Sequence, residues 1–249
     1  QHRKAWDFVA QAYQGGTSLP SWGTCGEGST IDVLGNIKGK TILELGCGSG
    51  DSIIYLLKQG AKHVYGVDFS QKQLDMAKKS IAKAFNNDQE YLKRVTLFNQ
   101  NMDEPLPKGK FDCIIAIYSV GWAINPKKLF KSIYSKLKPG STFCFSWDHY
   151  LAHIIAQKKN GLVIEKSYHE PQMLVRKNWK SSGITIKTHQ LRPSDWFEML
   201  TSSGFSVDGF WEPRSNIKHK KLGIYSDVYS EKVSKLIPNC VIFRAKKLK

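Results

Sequence analysis

The stretch Thr41-Ile-Leu-Glu-Leu-Gly-Cys-Gly-Ser-Gly50-Asp51 decides the architecture of this chain of 249 residues. A short apolar run, Thr41 to Leu45, enters a turn with glycine at 46, 48 and 50, and a helix opens at Asp51. Glycine tolerates the dihedrals of a tight turn and puts no Cβ between the backbone and a ligand. The unpaired N–H groups of the helix's first turn then face whatever lies against the loop. Strand, glycine turn and helix in that order open an α/β sheet.

A second strand, His63-Val-Tyr-Gly-Val-Asp68, ends in an acid 22 residues after Gly46. That is close to the spacing at which a βαβ unit delivers a carboxylate to a ribose. Two ligands suit such a unit, a dinucleotide and S-adenosylmethionine. The dinucleotide fingerprint G-x-G-x-x-G needs glycine at position 51, where this chain has Asp51 and the pattern G-x-G-x-G. A carboxylate at the helix mouth repels a pyrophosphate. It is harmless beside the zwitterionic methionine end of S-adenosylmethionine, whose ammonium needs an acceptor. Asp68 would also repel a 2′-phosphate, which argues against NADP.

On these residues the chain resembles the class I S-adenosylmethionine-dependent methyltransferases. Glu44-Leu-Gly-Cys-Gly-Ser-Gly50 is similar to the first motif of that family and Val67-Asp68-Phe-Ser70 to the second. Asn101-Met102-Asp103 stands where the family has an adenine-binding acid–small pair, Phe111 to Tyr118 resembles its fourth strand, and Leu137-Lys-Pro-Gly140-Ser141 the turn before its fifth. The resemblance implies a Rossmann-like sheet of seven mostly parallel strands, helices on both faces and an antiparallel edge hairpin. It implies S-adenosyl-L-methionine as cofactor, leaving S-adenosyl-L-homocysteine. The cofactor residues it implies are Glu44, Gly46, Cys47, Gly48, Asp68, Phe69, Asn101, Met102, Asp103 and Ile117. Asp68 is expected on the ribose, with Phe69 and Met102 around the adenine. Asn101 departs from the commoner aspartate, and its carbonyl oxygen can accept from the adenine amino group if the amide points that way. Glu44 has two readings, an acceptor that holds the loop or a partner for a lysine. Trp6-Asp-Phe-Val-Ala and Thr17-Ser-Leu-Pro-Ser-Trp22-Gly resemble a bacterial subgroup that methylates small molecules.

Composition bounds the rest. Hydrophobic residues make up 41% of the chain, ordinary for a globular protein. No apolar run approaches the ~20 residues that span a bilayer, so no membrane role is expected. The chain starts at Gln1, so the native start is expected upstream, and nothing present resembles a signal peptide. Cys25, Cys47, Cys113, Cys144 and Cys240 are odd in number and form no C-x-x-C, which points to neither zinc nor disulfides and to a cytoplasmic setting. The formal net charge of +16 keeps a nucleic-acid partner open. Against it, only 6 of the 37 basic residues are arginine, the residue that reads phosphates and bases with a planar fork. Lys127, Lys128, Lys131 and Lys136 fall around the apolar stripe Leu129, Phe130, Ile133, Tyr134 and Leu137, the pattern of a solvated helix face. The densest basic clusters are Lys218-His-Lys-Lys221 and Arg244 to Lys249.

Strand and helix alternate through the first 147 residues, which predicts a parallel sheet. Helices are expected from Asp51 to Gln59, from Gln71 behind a Ser70 cap, and from Pro126 behind an Asn125 cap. A nearly continuous apolar strand is expected over Phe111 to Val120, and another over Ser141 to Trp147. Ser194 is expected to cap a helix through Leu200, with Phe205–Trp211 and Cys240–Ala245 as the last strands. The chain reads as one domain, with an N-terminal arm over 1–37 and a substrate-covering insertion over about 148–192. That insertion reads as loops with short strands at Gly161–Lys166 and Ile184–His189.

Methyl transfer from a sulfonium needs alignment first, and a base only where the acceptor atom carries a proton. His149, directly after strand five, is the first candidate base and His189 the second. Tyr13, Trp22, Tyr118, Trp122 and Tyr150 are candidates for an acceptor pocket, and Arg192 for pairing a substrate carboxylate. His153 lies in the same region. The aromatics suit an apolar wall or an ammonium held by cation–π contact. No Asn/Asp-Pro-Pro-Tyr follows strand four, no Pro-Cys nucleophile occurs and no metal-ligand cluster is evident. The expected function is methyl transfer to an O, N or C atom of a small molecule, by a monomer or homodimer without metal. An RNA or protein methyltransferase and a non-catalytic S-adenosylmethionine-binding scaffold are the alternatives.

Overall fold

A computed structural model describes residues 2–13, 17–170, 172–216 and 229–248. The cluster Lys218–Lys221 lies outside the described residues. In chain order the helices are α1 (His2–Val9), α2 (Asp51–Lys58), α3 (Gln71–Ala84), α4 (Gln89–Leu92), α5 (Pro126–Lys136), α6 (Leu151–Ile154), α7 (Pro193–Ser202) and α8 (Glu231–Ser234). The strands are β1 (Thr41–Leu45), β2 (His63–Asp68), β3 (Val95–Asn99), β4 (Phe111–Ile117), β5 (Leu137–Asp148), β6 (Ile155–Lys158), β7 (Gly161–Ile164), β8 (Gln172–Arg176), β9 (Ile186–Gln190), β10 (Phe205–Trp211) and β11 (Cys240–Lys247).

Seven strands form one sheet in the order β3-β2-β1-β4-β5-β11-β10. β1 to β5 run parallel, whereas β11 is antiparallel to both β5 and β10. This is the seven-stranded, mostly parallel sheet with an antiparallel edge pair. The last strand in sequence threads between β5 and β10 rather than lying outermost. Alternation along the strands sends side chains to two cores. On one face Phe143, Phe145 and Phe243 pack against Phe130 of α5 and Trp196 of α7. The rings of Phe145 and Phe243 stack with centroids 5.2 Å apart, and Phe145 meets Trp196 at 5.5 Å. On the other face Ile42, Ile115 and Cys144 pack against Ile53 and Leu56 of α2 and Leu74, Ala77 and Ile81 of α3. All five cysteines are free and buried.

Helix starts follow their caps. Ser70 accepts the Gln73 N–H at 3.2 Å and Asn125 the Lys128 N–H at 2.9 Å. Lys127, Lys128 and Lys131 are exposed while Leu129, Phe130 and Ile133 are buried. Two of the tail's cations are engaged along β11: Arg244 meets Asp208 at 3.0 Å, and Lys247 reaches the carbonyls of Tyr134 and Leu137.

Four expectations are corrected. β4 ends at Ile117 because Tyr118 adopts a left-handed backbone, φ +50°. The chain then enters a 3-10 turn, Val120–Trp122. β5 starts at Leu137, four residues early, because Leu137 already pairs with Phe111 across an irregularity in β4. α7 is capped by Arg192, not Ser194: Pro193 takes the first helical position, and the Asp195 carboxylate accepts the Arg192 N–H at 2.8 Å. Residues 148–192 hold two antiparallel hairpins, β6–β7 and β8–β9, in place of loops with two strands.

Gly66 on β2 faces the underside of the glycine turn. A Cβ there would lie 2.8 Å from Cys47 Sγ and Leu97 and 2.9 Å from Ile53. Overpacking of this kind costs roughly 1–3 kcal/mol. Gly66→Ala is therefore expected to lower the unfolding free energy by that amount, read as a lower denaturation midpoint at unchanged slope. An unchanged midpoint would show that the turn yields freely.

Candidate active site

β1 is flanked by β2 on one side and β4 on the other, so the strand order reverses at its carboxyl end. Ligands of open α/β sheets bind at that point. A cavity of about 550 Å³ opens there, within the ~300–1,000 Å³ of small-molecule sites.

The glycine turn forms its floor. The N–H groups of Gly46 and Cys47 both donate to the Val67 carbonyl, at 2.7 and 3.0 Å. Ser119 Oγ donates to the Leu45 carbonyl at 2.6 Å. Gly46 has φ +73°, and a Cβ on it would fall 2.5 Å from Ser119 Cβ. Gly48, φ +50°, has only Gln73 Oε1 within reach of such a Cβ, at 3.7 Å. The cavity side of the turn is thus bare backbone.

Two buried carboxyl groups face this floor. The Asp68 oxygens accept the N–H groups of Gly48 and Ser70, each at 2.9 Å. Burial raises its pKa to about 6, with those N–H bonds pulling the other way. Each oxygen keeps a lone pair for a ligand hydroxyl. Glu44 Oε2 is buried with no hydrogen-bond partner. Burial, with Asp51 and Asp68 adding, pushes its pKa to about 8 against the Ser52 hydroxyl beside it. Among the described residues Glu44 makes no ion pair, so it has no lysine partner. An ammonium against Oε2 would supply both the missing donor and the missing charge.

Of the expected cofactor residues, Glu44, Gly46, Cys47, Gly48, Asp68, Phe69, Asn101, Met102 and Ile117 line the cavity. Asn101 turns its side-chain oxygen to the Asp103 N–H at 3.1 Å. Asp103 is not brought to the cavity. Its carboxylate accepts the N–H of Ile124 at 2.9 Å and so braces the chain after Trp122.

A roof closes the other end. Trp6 of α1, Tyr13 of the following 3-10 turn, Trp122 and Trp179 all line the cavity. Their rings touch: Trp6 lies 5.0 Å from Tyr13 and 5.2 Å from both Trp122 and Trp179. Tyr118 lines the cavity as well. The left-handed backbone at Tyr118, costly for a residue with a Cβ, aims this ring across the site.

The other acceptor candidates sit elsewhere. Trp22 is a buried core residue, and its N–H binds the Glu27 carbonyl. Tyr150 is buried with its hydroxyl on the carbonyls of Ser167 and Glu170. Arg192 is held by Asp195 through Nε at 3.0 Å and Nη2 at 2.6 Å, and it does not line the cavity. His149 is corrected as a base. Its Nδ1 accepts the Leu151 N–H, which fixes the proton on Nε2, and Nε2 donates to Glu212 at 2.7 Å. Both ring nitrogens are thus committed outside the cavity. Burial lowers its pKa, opposed by Glu212. His189 is also off the cavity. On β9 it alternates with Thr188, which lines it, and its carbonyl accepts Trp147 Nε1 at 2.8 Å.

Sequence reasoning missed Asp148, Tyr229, Arg176, Trp6 and Trp179 as lining residues. Asp148 was within its reach, because the carboxyl end of a parallel strand is where the rule looks. Tyr229 had no local signal: it meets Asp148 across 81 residues of chain.

Residues 43–145 match the methyltransferase domain family. The chain is 31% identical to an uncharacterized protein of Haemophilus influenzae over 176 residues, 70% of this chain and 66% of that one. It is 30% identical to the demethylmenaquinone methyltransferase of Lactococcus lactis subsp. lactis over 158 residues, 58% of this chain and 61% of the relative. The chain thus spans less than two thirds of these curated relatives. The crystal structure of an S-adenosylmethionine dependent methyltransferase from Mesorhizobium loti superposes with a TM-score of 0.67 at 22% identity, covering 86% of this chain and 93% of that one. That likeness establishes the fold.

Glu44 gives a pH signature. The fold holds its proton up to about pH 8, whereas the unfolded chain releases it near the ordinary carboxyl value of 4.5. Its contribution to stability is therefore intact below that lower value and is lost as pH rises toward 8. Glu44→Gln removes the loss. Without added ligand, the melting temperature of the variant relative to wild type is expected to climb steadily from pH 5 to pH 8. A difference independent of pH would mean that Glu44 ionises freely in the fold.

Proposed function

We propose that this chain, which belongs to the class I S-adenosylmethionine-dependent methyltransferases, transfers a methyl group to an oxygen, nitrogen or carbon atom of a small molecule enclosed beneath the aromatic roof. One observation carries the reading. A single cavity is lined by Gly46, Gly48 and Asp68 at one end and by Tyr13, Tyr118 and Trp122 at the other. The relative named as a demethylmenaquinone methyltransferase supports a small-molecule acceptor.

S-adenosylmethionine, when bound, supplies a methyl group already activated on a positive sulfur. The chain's own residues bind and align. Glu44 takes the ammonium and becomes ionised in doing so, because the cation's attraction offsets the burial that raises its pKa. The free lone pairs of Asp68 accept the two ribose hydroxyls. Phe69 and Met102 flank the adenine. The bare backbone at Gly48 lets the methionine end approach. The N-terminal arm over 1–37 and the segment over 148–192 act as one cover on a single methyltransferase domain, excluding water and holding the acceptor in line. Five buried free thiols support a reducing, cytoplasmic setting.

An RNA or protein acceptor would have to reach beneath the roof formed by Trp6 and Trp179. Its binding would also fall steeply with salt. A small acceptor predicts little salt dependence.

Calorimetric titration with S-adenosylmethionine, S-adenosylhomocysteine and NADH is the direct test. Binding of the first two without the third is expected, and binding of NADH alone overturns the cofactor reading. Asp68→Ala removes charged acceptors of the ribose hydroxyls, contacts worth ~1.5–3 kcal/mol each. Affinity for S-adenosylhomocysteine should fall at least about tenfold, and unchanged affinity would remove the ribose assignment.

A further inference from the structure

Beyond the carboxyl ends of β4 and β5, four polar side chains form a hydrogen-bonded chain. Asp148 ends β5 and lines the cavity. One carboxylate oxygen accepts the Tyr229 hydroxyl, and the other meets His153 Nε2 at 3.1 Å. The Tyr118 hydroxyl lies 3.4 Å from that of Tyr229, and both tyrosines line the cavity. Burial works to raise the Asp148 carboxyl, but His153 and the Tyr229 hydroxyl outweigh it and hold it below its usual range. Burial holds both phenols well above theirs. The arrangement is an ionised carboxylate steadied by two donors at a cavity wall. Each oxygen has accepted one hydrogen bond, which leaves a lone pair for a further donor.

The aromatic cluster lining the same cavity identifies the kind of molecule that brings that donor. Trp6, Trp122 and Trp179 lie 5.2–5.6 Å apart, ring against ring. Rings in mutual contact make a continuous apolar surface. They leave no space between them in which an ammonium could be surrounded. Arg3 and Arg176 also line the cavity, and the charge of Arg176 reaches Asp148, so a second cation is not favoured there. A flat apolar body with a neutral donor satisfies both walls.

We propose that the acceptor is a planar aromatic molecule bearing a hydroxyl group, with its ring against Trp6, Trp122 and Trp179 and its O–H donating to Asp148. This rests on the methyltransferase reading and names its substrate class. The contact has a consequence for the transfer. As an oxygen lone pair forms the C–O bond, the C–S bond breaks and its electron pair stays on sulfur. The oxygen becomes strongly acidic as the methyl arrives, and its proton passes to the Asp148 carboxylate. A carboxylate of low pKa is a sufficient base for that step, because the proton moves only once the oxygen is charged. Tyr229 and His153 act as positioning residues for the carboxylate.

The test uses two probes of the same shape, 2-naphthol and 2-methoxynaphthalene, of which only the first can donate. Each is titrated by calorimetry into the full chain saturated with S-adenosylhomocysteine. Wild type is expected to bind 2-naphthol at least about tenfold more tightly, the worth of a hydrogen bond to a charged group. Asp148→Asn should reduce that preference to about threefold or less with affinity for S-adenosylhomocysteine kept. Trp179→Ala should weaken both probes alike and leave the preference intact. Equal affinity of wild type for the two probes, or binding of neither, overturns the proposal while the cofactor reading stands. A chain that fails to bind S-adenosylhomocysteine overturns the methyltransferase reading itself.

Discussion

The Val67 carbonyl accepts the N–H groups of both Gly46 and Cys47, and the rest of the site depends on that shared bond. It ties the end of β1 to the end of β2 and turns the chain sharply enough to start α2 at Asp51. The tie requires a strand without a side chain beneath it, which Gly66 supplies. It brings the Gly48 N–H to Asp68. The Ser119 hydroxyl fastens the same turn to the chain beyond β4. The floor, the Asp68 carboxylate and the base of the Tyr118 arm are therefore set by one local geometry.

The roof depends on contacts distant in sequence. Asp7 on α1 accepts the Ser70 hydroxyl at 2.6 Å, and Ser70 in turn caps α3 and donates its N–H to Asp68. α1 is thus anchored beside Asp68, with Trp6 against Trp179. A second tie runs through Glu27, fully buried, whose carboxylate accepts the Cys25 N–H at 2.7 Å, the Ser215 hydroxyl at 2.8 Å and the Asn239 amide at 3.2 Å. A buried charge persists only when hydrogen-bonded in this way. It joins the first loop, the chain after β10 and the start of β11.

Three buried carboxyl groups around one cavity differ in protonation because their partners differ. Glu44 has an orphan oxygen and two acidic neighbours, and it holds its proton. Asp68 has two backbone donors and lies between. Asp148 has an imidazole and a phenol and stays ionised. The cation, the diol and the hydroxyl donor proposed above each meet the carboxyl group whose partners suit it.

The sequence by itself determined the sheet, its order of elements and the glycine-turn end of the cavity. Those features are local: Gly46 to Asp51 and Val67 to Ser70 carry their geometry in neighbouring residues, and apolar alternation reports burial directly. Even the departure at Asn101 was legible. At the other end the sequence named Tyr13, Tyr118 and Trp122, which line the cavity, and tertiary structure decided the rest. Nothing near His149 reveals that Leu151 and Glu212 consume both of its nitrogens, or that Asp195 occupies Arg192. Nothing near Asp148 announces Tyr229. Trp6 and Trp179 read separately as aromatics in an arm and a loop, and they become a wall only when the fold brings them within 5.2 Å. A backbone turn is specified by its own few residues. A pocket wall belongs to side chains whose partners are chosen by packing, and packing is a property of the whole chain.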